Sequence, residues 1–116
     1  MKLFDSEIKI MEVLWAEGDC TAKHISDQLK QQIGWNMNTT YTVIKRLIGK
    51  GVIERREPNF VCHALLGKSE AQQAEVGELT DRMFDGAADK LFASLLSAKK
   101  LSADEIQRLK EMIDKL

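Results

Sequence analysis

The sequence has 116 residues, of which 44% are hydrophobic and 30% are charged, and its formal net charge at pH 7 is −1. This length suits one domain with a small appendage, and the composition is typical of folded globular proteins rather than disordered ones. No apolar run reaches the roughly 18 residues needed to cross a membrane. The start of the chain lacks the apolar segment of a signal peptide. We therefore expect a cytoplasmic protein without membrane insertion.

The sequence offers little support for catalysis or metal binding. Cys20 and Cys62 fit neither a disulfide framework nor a zinc-binding spacing, and we interpret both as small apolar side chains. We interpret His24 as a surface residue and His63 as a structural one. There is no recognisable nucleophile–base pair, carboxylate pair in an apolar setting or phosphate-binding loop. We expect neither an enzyme nor a cofactor or metal site.

Positive charge is concentrated in one short segment. Residues 45–56 contain five basic side chains and one acidic side chain, a local charge of +4, whereas the segments before and after carry −2 and −3. A local basic patch is the expected footprint of phosphate binding, and a solvated surface is the plainer alternative. The basic residues are Lys45, Arg46, Lys50, Arg55 and Arg56.

Two helices are predicted before this segment. The first has Asp5 or Ser6 as its N-cap and ends before Gly18. The second has Thr21 as its N-cap and ends at Gly34. The apolar positions that we expect to face a core are Ile8, Met11, Val13, Leu14 and Trp15 in the first helix, and Ala22, Ile25, Leu29 and Ile33 in the second.

The third predicted helix, residues 35–51, has two different faces. Asn36 can cap its start, and Gly51 can end it in the left-handed conformation. One face carries apolar or small side chains at helical spacing, which predicts burial of Thr40, Val43, Ile44 and Leu47. With the preceding helix it forms a helix-turn-helix, whose polar face suits a DNA major groove about 12 Å wide. That polar face consists of Asn38, Thr39, Tyr41, Thr42, Lys45 and Arg46.

The periodicity changes from helical to extended after the third helix. Residues 52–56 and 60–66 predict two strands, and residues 57–59 predict the turn between them. A hairpin that directly follows a helix-turn-helix is the wing of a winged helix. The tip of this wing can reach the DNA backbone or the minor groove beside the occupied major groove.

Side-chain chemistry suggests which residues contact bases and which contact phosphates. Asn38, Thr39 and Thr42 are expected to contact base edges, and Tyr41 and Lys45 to contact phosphate or bases. Arg46 either joins these DNA contacts or has a structural role, bonding the wing or an acidic neighbour, and both interpretations stay open. Further backbone contacts are expected from Thr21, Lys23, Arg55, Arg56 and Asn59.

Three more helices are predicted after Gly67. Ser69 caps one that ends near Phe84, a second spans residues 87–98, and Ser102 with Glu105 forms the capping box of the third. About fifty residues bury little apolar surface alone, so this region either packs onto the N-terminal module or pairs with a second copy, which we favour. The expected dimer interface consists of Val76, Leu79, Met83, Leu91, Phe92, Leu95, Leu96, Ile106, Leu109, Met112 and Ile113.

These elements predict a mainly α fold with a small β-hairpin. We expect an N-terminal winged helix-turn-helix domain in residues 1–67 and a C-terminal three-helix dimerisation region in residues 68–116. The function that fits best is a DNA-binding transcriptional repressor. Because the net charge is slightly negative, the alternative is a winged-helix module that binds protein and has no specific DNA affinity.

Three stretches of the sequence resemble the BlaI/MecI/CopY family of bacterial penicillinase and copper-transport repressors. Residues 7–15 (EIKIMEVLW) are similar to the first helix of that family, residues 35–51 (WNMNTTYTVIKRLIGKG) to its recognition helix, and residues 101–109 (LSADEIQRL) to its last helix. The likeness extends over nearly the whole chain. It implies a winged-helix repressor that binds a palindromic operator in double-stranded DNA as a homodimer.

The resemblance also implies routes by which repression ends. In the penicillinase branch, a membrane sensor-protease pathway leads to cleavage in the C-terminal domain, and the matching position here is Ser94-Leu95 instead of Asn-Phe. In the copper branch, a C-terminal cysteine cluster binds the metal. Because no cysteine follows Cys62, we do not expect copper sensing of that kind. The inducing signal is left open between cleavage, a ligand and a partner protein.

Overall fold

The computed structural model describes residues 2–116, which contain six helices and one three-stranded antiparallel sheet. This mainly α arrangement with a winged helix-turn-helix confirms the predicted fold class. The helices are α1 (Asp5–Glu17), α2 (Ala22–Ile33), α3 (Met37–Gly49), α4 (Lys68–Met83), α5 (Ala88–Ser97) and α6 (Ala103–Asp114). The strands are β1 (Cys20–Thr21), β2 (Ile53–Arg56) and β3 (Val61–Ala64).

The chain divides into two compact units, the first ending at Ala74 and the second comprising Glu75–Leu116. The first unit contains α1, α2, α3 and the sheet. Helix α4 crosses the division, so its first half belongs to the first unit and its second half to the second. The domain boundary after residue 67 stays a prediction.

The core of the first unit is formed by one face of each of its three helices and by the sheet. The buried residues of α3 are Thr40, Val43, Ile44 and Leu47, as the helical spacing predicted. Ile33 was expected inside but is 42% exposed, because it lies on the rim of an open groove between α1 and α2. The remaining fully or nearly fully buried apolar residues are Ile10, Met11, Val13, Leu14, Ala22, Ile25, Leu29, Val52, Ile53 and Cys62.

Two of the predicted helix caps in the first unit are confirmed. The Thr21 hydroxyl accepts a hydrogen bond from the His24 amide at 3.0 Å, which closes the start of α2. Asn36 Oδ1 accepts one from the Thr39 amide at 2.8 Å, which closes the start of α3. Each side chain satisfies a backbone N–H that the helix itself leaves unpaired.

Two other predicted caps are wrong. Helix α1 has Phe4 rather than Asp5 or Ser6 as its N-cap, and Glu7 Oε1 accepts the Phe4 amide at 2.8 Å. Ser69 lies inside α4, where Glu70 accepts the Gly67 amide at 3.2 Å. In both cases a glutamate reaches back to a free N–H, so the helix begins earlier than the nearest hydroxyl or aspartate suggested.

The sheet has the strand order β1-β3-β2. The wing hairpin pairs Ile53 with Ala64 and Arg56 with Val61, so its strands are shorter than predicted. Strand β1 was not predicted, and it pairs Cys20 with Cys62 on the other edge of β3. The wing is therefore the outer part of a three-stranded sheet rather than a separate two-stranded hairpin.

The second unit leaves much of its apolar surface uncovered. No residue of α5 or α6 is buried, although both helices carry regularly spaced apolar side chains. The capping box predicted at the start of α6 is confirmed, with Ser102 and Glu105 exchanging hydrogen bonds at 2.8 and 3.1 Å. Within residues 2–116, no helix is long and apolar enough to cross a bilayer.

Candidate nucleic-acid interface

The outer face of α3 is polar and open to solvent. Asn38, Thr42 and Lys45 follow one another at helical spacing and are all exposed, and Thr39 and Arg46 flank them on one side. Tyr41 borders the same face on the other side and is half-buried. Side chains of this kind on one face can donate to and accept from base edges. The structure thus brings the six polar side chains predicted from the sequence onto one exposed surface, which we call the α3 face.

Beneath the α3 face, a buried glutamate holds the end of the helix. Glu7, fully buried in α1, accepts hydrogen bonds from Lys50 Nζ at 2.7 Å and from Arg46 Nε at 3.2 Å. Arg46 also donates to the Ser6 hydroxyl at 2.8 Å, and Lys50 Nζ lies 4.5 Å from the centre of the Phe4 ring. This arrangement favours the structural interpretation of Arg46, whose role in DNA contact stays a prediction.

The environment of Glu7 keeps its carboxylate charged. Burial by itself raises the pKa of Glu7, but the hydrogen bonds from Lys50, the Phe4 amide and Arg46 outweigh it, so the pKa lies below its usual range. A buried carboxylate that accepts three hydrogen bonds is held in one position and orientation. Glu7 therefore fixes α1 against the C-terminal end of α3.

The basic side chains of the wing are paired with carboxylates on the same surface. Arg55 Nε donates to Glu57 Oε1 at 2.6 Å, and Arg56 Nε donates to Glu54 Oε1 at 2.6 Å. These arginine side chains are 46% and 49% exposed. The local charge of +4 seen in the sequence is therefore largely compensated in the folded protein, which counting charges along the chain did not reveal.

An aromatic contact joins the wing to the α3 face. The rings of Phe60 in the wing turn and Tyr41 in α3 meet edge to face, with their centroids 5.8 Å apart. The Arg55 guanidinium carbon lies 3.7 Å from the centroid of the Phe60 ring on the wing. Sequence reasoning did not single out Phe60, because it falls just after the predicted turn and shows no charge or motif.

The remaining candidates for backbone contact lie at the edges of this surface. The Thr21 hydroxyl is engaged in capping α2, whereas Lys23 is exposed and pairs with Asp27 at 3.3 Å. Asn59 lies exposed in the turn of the wing with a positive φ of 72°, a conformation that asparagine tolerates well. These residues can approach a DNA backbone that lies along the α3 face.

Both histidines have carboxylate partners. His24 Nε2 lies 2.9 Å from Glu17 Oε1, and His63 Nδ1 lies 2.7 Å from Asp19 Oδ1. In the part of the chain that the structure describes, no group of three or more potential metal ligands comes together. The histidines thus link neighbouring segments of the first unit.

The two cysteines face each other across strands β1 and β3 as free thiols. Cys62 is fully buried and Cys20 is half-buried. Burial is the largest cause that raises the pKa of each thiol to about 11, so both are protonated at neutral pH. This environment fits their interpretation as small apolar side chains.

Known proteins match this sequence over nearly its whole length. A model of the penicillinase repressor family matches residues 3–115. The methicillin resistance regulatory protein MecI of Staphylococcus aureus (strain N315) is 25% identical over 116 residues, which cover 98% of this chain and 94% of that protein. The penicillinase repressor of Bacillus licheniformis is 22% identical over 115 residues, covering 97% of this chain and 90% of that protein.

One solved structure matches the N-terminal part of the fold. The solution structure of the DNA-binding domain of the repressor BlaI superposes with a TM-score of 0.55 at 24% sequence identity. The match covers 60% of this chain and 87% of that domain. At this level of identity the likeness concerns the fold, and it agrees with the winged helix-turn-helix described above.

Proposed function

Because this chain belongs to the penicillinase repressor family, we propose that it represses transcription as a homodimer bound to a palindromic operator. The coarser part of this statement follows from the family itself: the protein is a DNA-binding transcriptional repressor. The observation that carries the finer part is the exposed α3 face beside the wing, together with the uncovered apolar side chains of the second unit.

In the proposed complex, α3 lies in the major groove of one operator half-site. Asn38, Thr39 and Thr42 contact base edges, and the threonine methyl groups can meet the methyl group of thymine. Lys45 contacts phosphate or a base, and Tyr41 lies at the edge of the groove. These roles are supported by the exposure of Asn38, Thr39, Thr42 and Lys45 on the α3 face.

Backbone contacts flank the groove in this proposal. Lys23 at the start of α2 and Arg55, Arg56 and Asn59 on the wing meet phosphates and set the register of the protein on the duplex. Thr21 holds the first turn of α2, whose free N–H groups can approach a phosphate. Such contacts would give DNA binding a marked dependence on salt concentration.

The second unit supplies the proposed dimer interface. Val76, Met83, Leu96, Met112 and Ile113 are 47–65% exposed, and Phe92 and Leu95 are 38% and 37% exposed. Burying one such side chain is worth about 1.5–3 kcal/mol, so covering this surface would stabilise a dimer strongly. A second copy is the natural cover because a two-fold axis would also match a palindromic operator. The half-buried members of the proposed interface are Leu79, Leu91, Ile106 and Leu109.

We also propose that repression ends through the second unit, by cleavage or by another signal. Ser94 and Leu95 lie in the C-terminal half of α5 and are exposed. Because proteases bind extended chains, cleavage there requires that α5 first leaves the proposed dimer interface and unwinds. A sensor-protease pathway is the proposed source of the cut. Induced cells should then contain fragments that end at Ser94, as mass spectrometry of the repressor would reveal.

The test of the proposed function is selection of duplexes from random or genomic DNA with the full-length protein, followed by titration of the selected site at several salt concentrations. We expect a palindrome, steep salt dependence and two chains per site. Failure to enrich any sequence, with only weak binding, would overturn the proposal and return us to a winged-helix module that binds protein.

A further inference from the structure

Each of the two arginines on the wing is bound to a carboxylate of the wing itself. Arg55 is held by Glu57 and Arg56 by Glu54, both at 2.6 Å. Asp19, in the loop before β1, adds a second carboxylate 3.4 Å from Arg56 Nη1. An anion therefore lies beside each of the two wing arginines that the proposed function directs at the DNA backbone.

The Arg55 pair is held by further contacts. Glu57 Oε2 also accepts the Phe60 amide at 3.2 Å, and the Arg55 guanidinium lies over the Phe60 ring. The hydrogen bonds from Arg55 and from the Phe60 amide lower the pKa of Glu57, so this carboxylate is charged at neutral pH. Carboxylates and phosphates accept a guanidinium in similar ways. A phosphate that approaches Arg55 must therefore compete with the Glu57 carboxylate for the guanidinium.

These ion pairs are weak enough for DNA to displace. Arg55 and Glu57 side chains are 46% and 60% exposed, and Arg56 and Glu54 are 49% and 47% exposed. Exposed ion pairs contribute little to stability, so a phosphate can replace the carboxylate. The replacement nevertheless reduces the gain in free energy from counterion release, because the arginine was already partly neutralised.

We infer that Glu54 and Glu57 are phosphate mimics that hold the wing arginines in the free protein and lower its affinity for DNA of any sequence. The inference rests on the proposed function, since it concerns the same DNA-binding surface. As a consequence, the base contacts of α3 contribute a larger fraction of the binding free energy than they would if the wing arginines were unpaired. That matters because a genome offers on the order of a million or more non-specific sites for every operator.

The experiment measures binding of the full-length protein to a random-sequence duplex across a series of salt concentrations. The variants are Glu57→Gln and Glu54→Gln, and the matched control is Glu75→Gln, which makes the same charge change on an exposed residue of α4. Glutamine at position 57 can still accept the Phe60 amide, so the turn is kept. We expect the two wing variants to bind about two- to fivefold more tightly than the parent protein. The slope of log binding constant against log salt concentration should be steeper by up to about 1.

A second pair of variants separates the ion pair from a general charge effect. In an Arg55→Gln background, Glu57→Gln should no longer tighten binding, because the cation that it releases is absent. Tightening of the same size in that background, or in Glu75→Gln, would overturn the inference in favour of net charge alone.

Three further outcomes are decisive. Weaker binding by Glu57→Gln would overturn the inference, because Glu57 would then present Arg55 to the backbone rather than withhold it. Unchanged affinity in both wing variants, alongside normal binding by the parent protein, would overturn this inference and leave the proposed function standing. If the parent protein and all variants fail to bind DNA even at low salt, the proposed function itself fails.

Discussion

Glu7 and Lys50 lie 43 positions apart in the chain, and the carboxylate of the first accepts a hydrogen bond from the ammonium of the second at 2.7 Å. Arg46 adds a second donor to the same carboxylate at 3.2 Å. Because Glu7 is fully buried, this group fixes α3 to α1 from inside the fold. The orientation of the α3 face therefore depends on a residue that lies buried beneath it.

Replacing Glu7 with Gln should destabilise the first unit without altering its fold. The neutral amide keeps the shape of the side chain but loses two charge-assisted hydrogen bonds. We expect a loss of about 1.5–3 kcal/mol in the free energy of unfolding, measured by urea denaturation. Glu12→Gln, on the exposed side of the same helix, is the control and should change stability little. Equal stability of Glu7→Gln and the parent would contradict this role.

The same carboxylate should make stability depend on pH in the acid range. In the folded state the pKa of Glu7 lies below the ordinary glutamate value of 4.5, so the unfolded chain takes up the proton first as the pH falls. The contribution is fully present above pH 4.5 and is lost as the pH falls through the folded pKa. Urea titrations from neutral pH to about pH 3 should show a steeper loss in the parent than in Glu7→Gln. Parallel curves would contradict the assignment.

Thr40→Val should stabilise the protein. Thr40 is fully buried in α3, and among the described residues its hydroxyl has no hydrogen-bond partner. Valine has nearly the same shape and removes the cost of an unpaired polar atom, which we expect to raise the free energy of unfolding by about 1 kcal/mol. Thermal and urea denaturation measure the change, and a loss of stability would show that the hydroxyl has a partner in solution.

The double change Thr39→Ala with Thr42→Ala should weaken specific DNA binding and spare the fold. Both side chains are exposed on the α3 face, so their loss removes base contacts rather than core packing. We expect about tenfold or greater weakening at the selected operator and little change on random DNA. Thr40→Val, which removes a threonine hydroxyl from the buried side of the same helix, is the matched control. Full operator affinity in the double variant would exclude this face from base recognition.

Negative charge on the second unit should separate the proposed dimer. Leu96 and Met112 are 47% and 62% exposed, so glutamate at both positions leaves the fold of one chain intact. Burying these charges in an interface is costly, and we expect a monomer by analytical ultracentrifugation with reduced operator affinity. Ala88→Glu, at the exposed start of α5, is the control and should remain dimeric. A dimer that survives both changes would place the interface elsewhere.

The features that the sequence predicted well are those with local causes. Asn36 caps α3 because its side chain reaches an amide three residues on, and the burial of Thr40 and Ile44 follows from helical spacing alone. The start of α1 was predicted wrongly because Phe4, Asp5 and Ser6 are neighbours and each can be the N-cap residue. Only the bond from the Phe4 amide to Glu7 decides between them.

The features that the sequence did not predict depend on contacts between distant residues. Strand β1 has two residues, too few for any periodicity, and its partner β3 lies about forty positions further on. Likewise, the charge count around Arg56 revealed neither its bond to Asp19, 37 positions away, nor the bond between Arg46 and Glu7. The exposure of the α3 face was therefore predictable, whereas the compensation of the basic segment was not.

The pairing of β1 with β3 also bears on how fast the protein finds its site. Isolated two-stranded hairpins are marginal in water, but this wing is backed by a third strand, and the Ala22 amide donates to the Phe60 carbonyl at 3.0 Å just beyond it. The wing thus has its final shape before any encounter, and binding requires little further ordering of its backbone. We expect association without a slow folding step, so that differences in affinity between operators arise chiefly from how long each complex lasts.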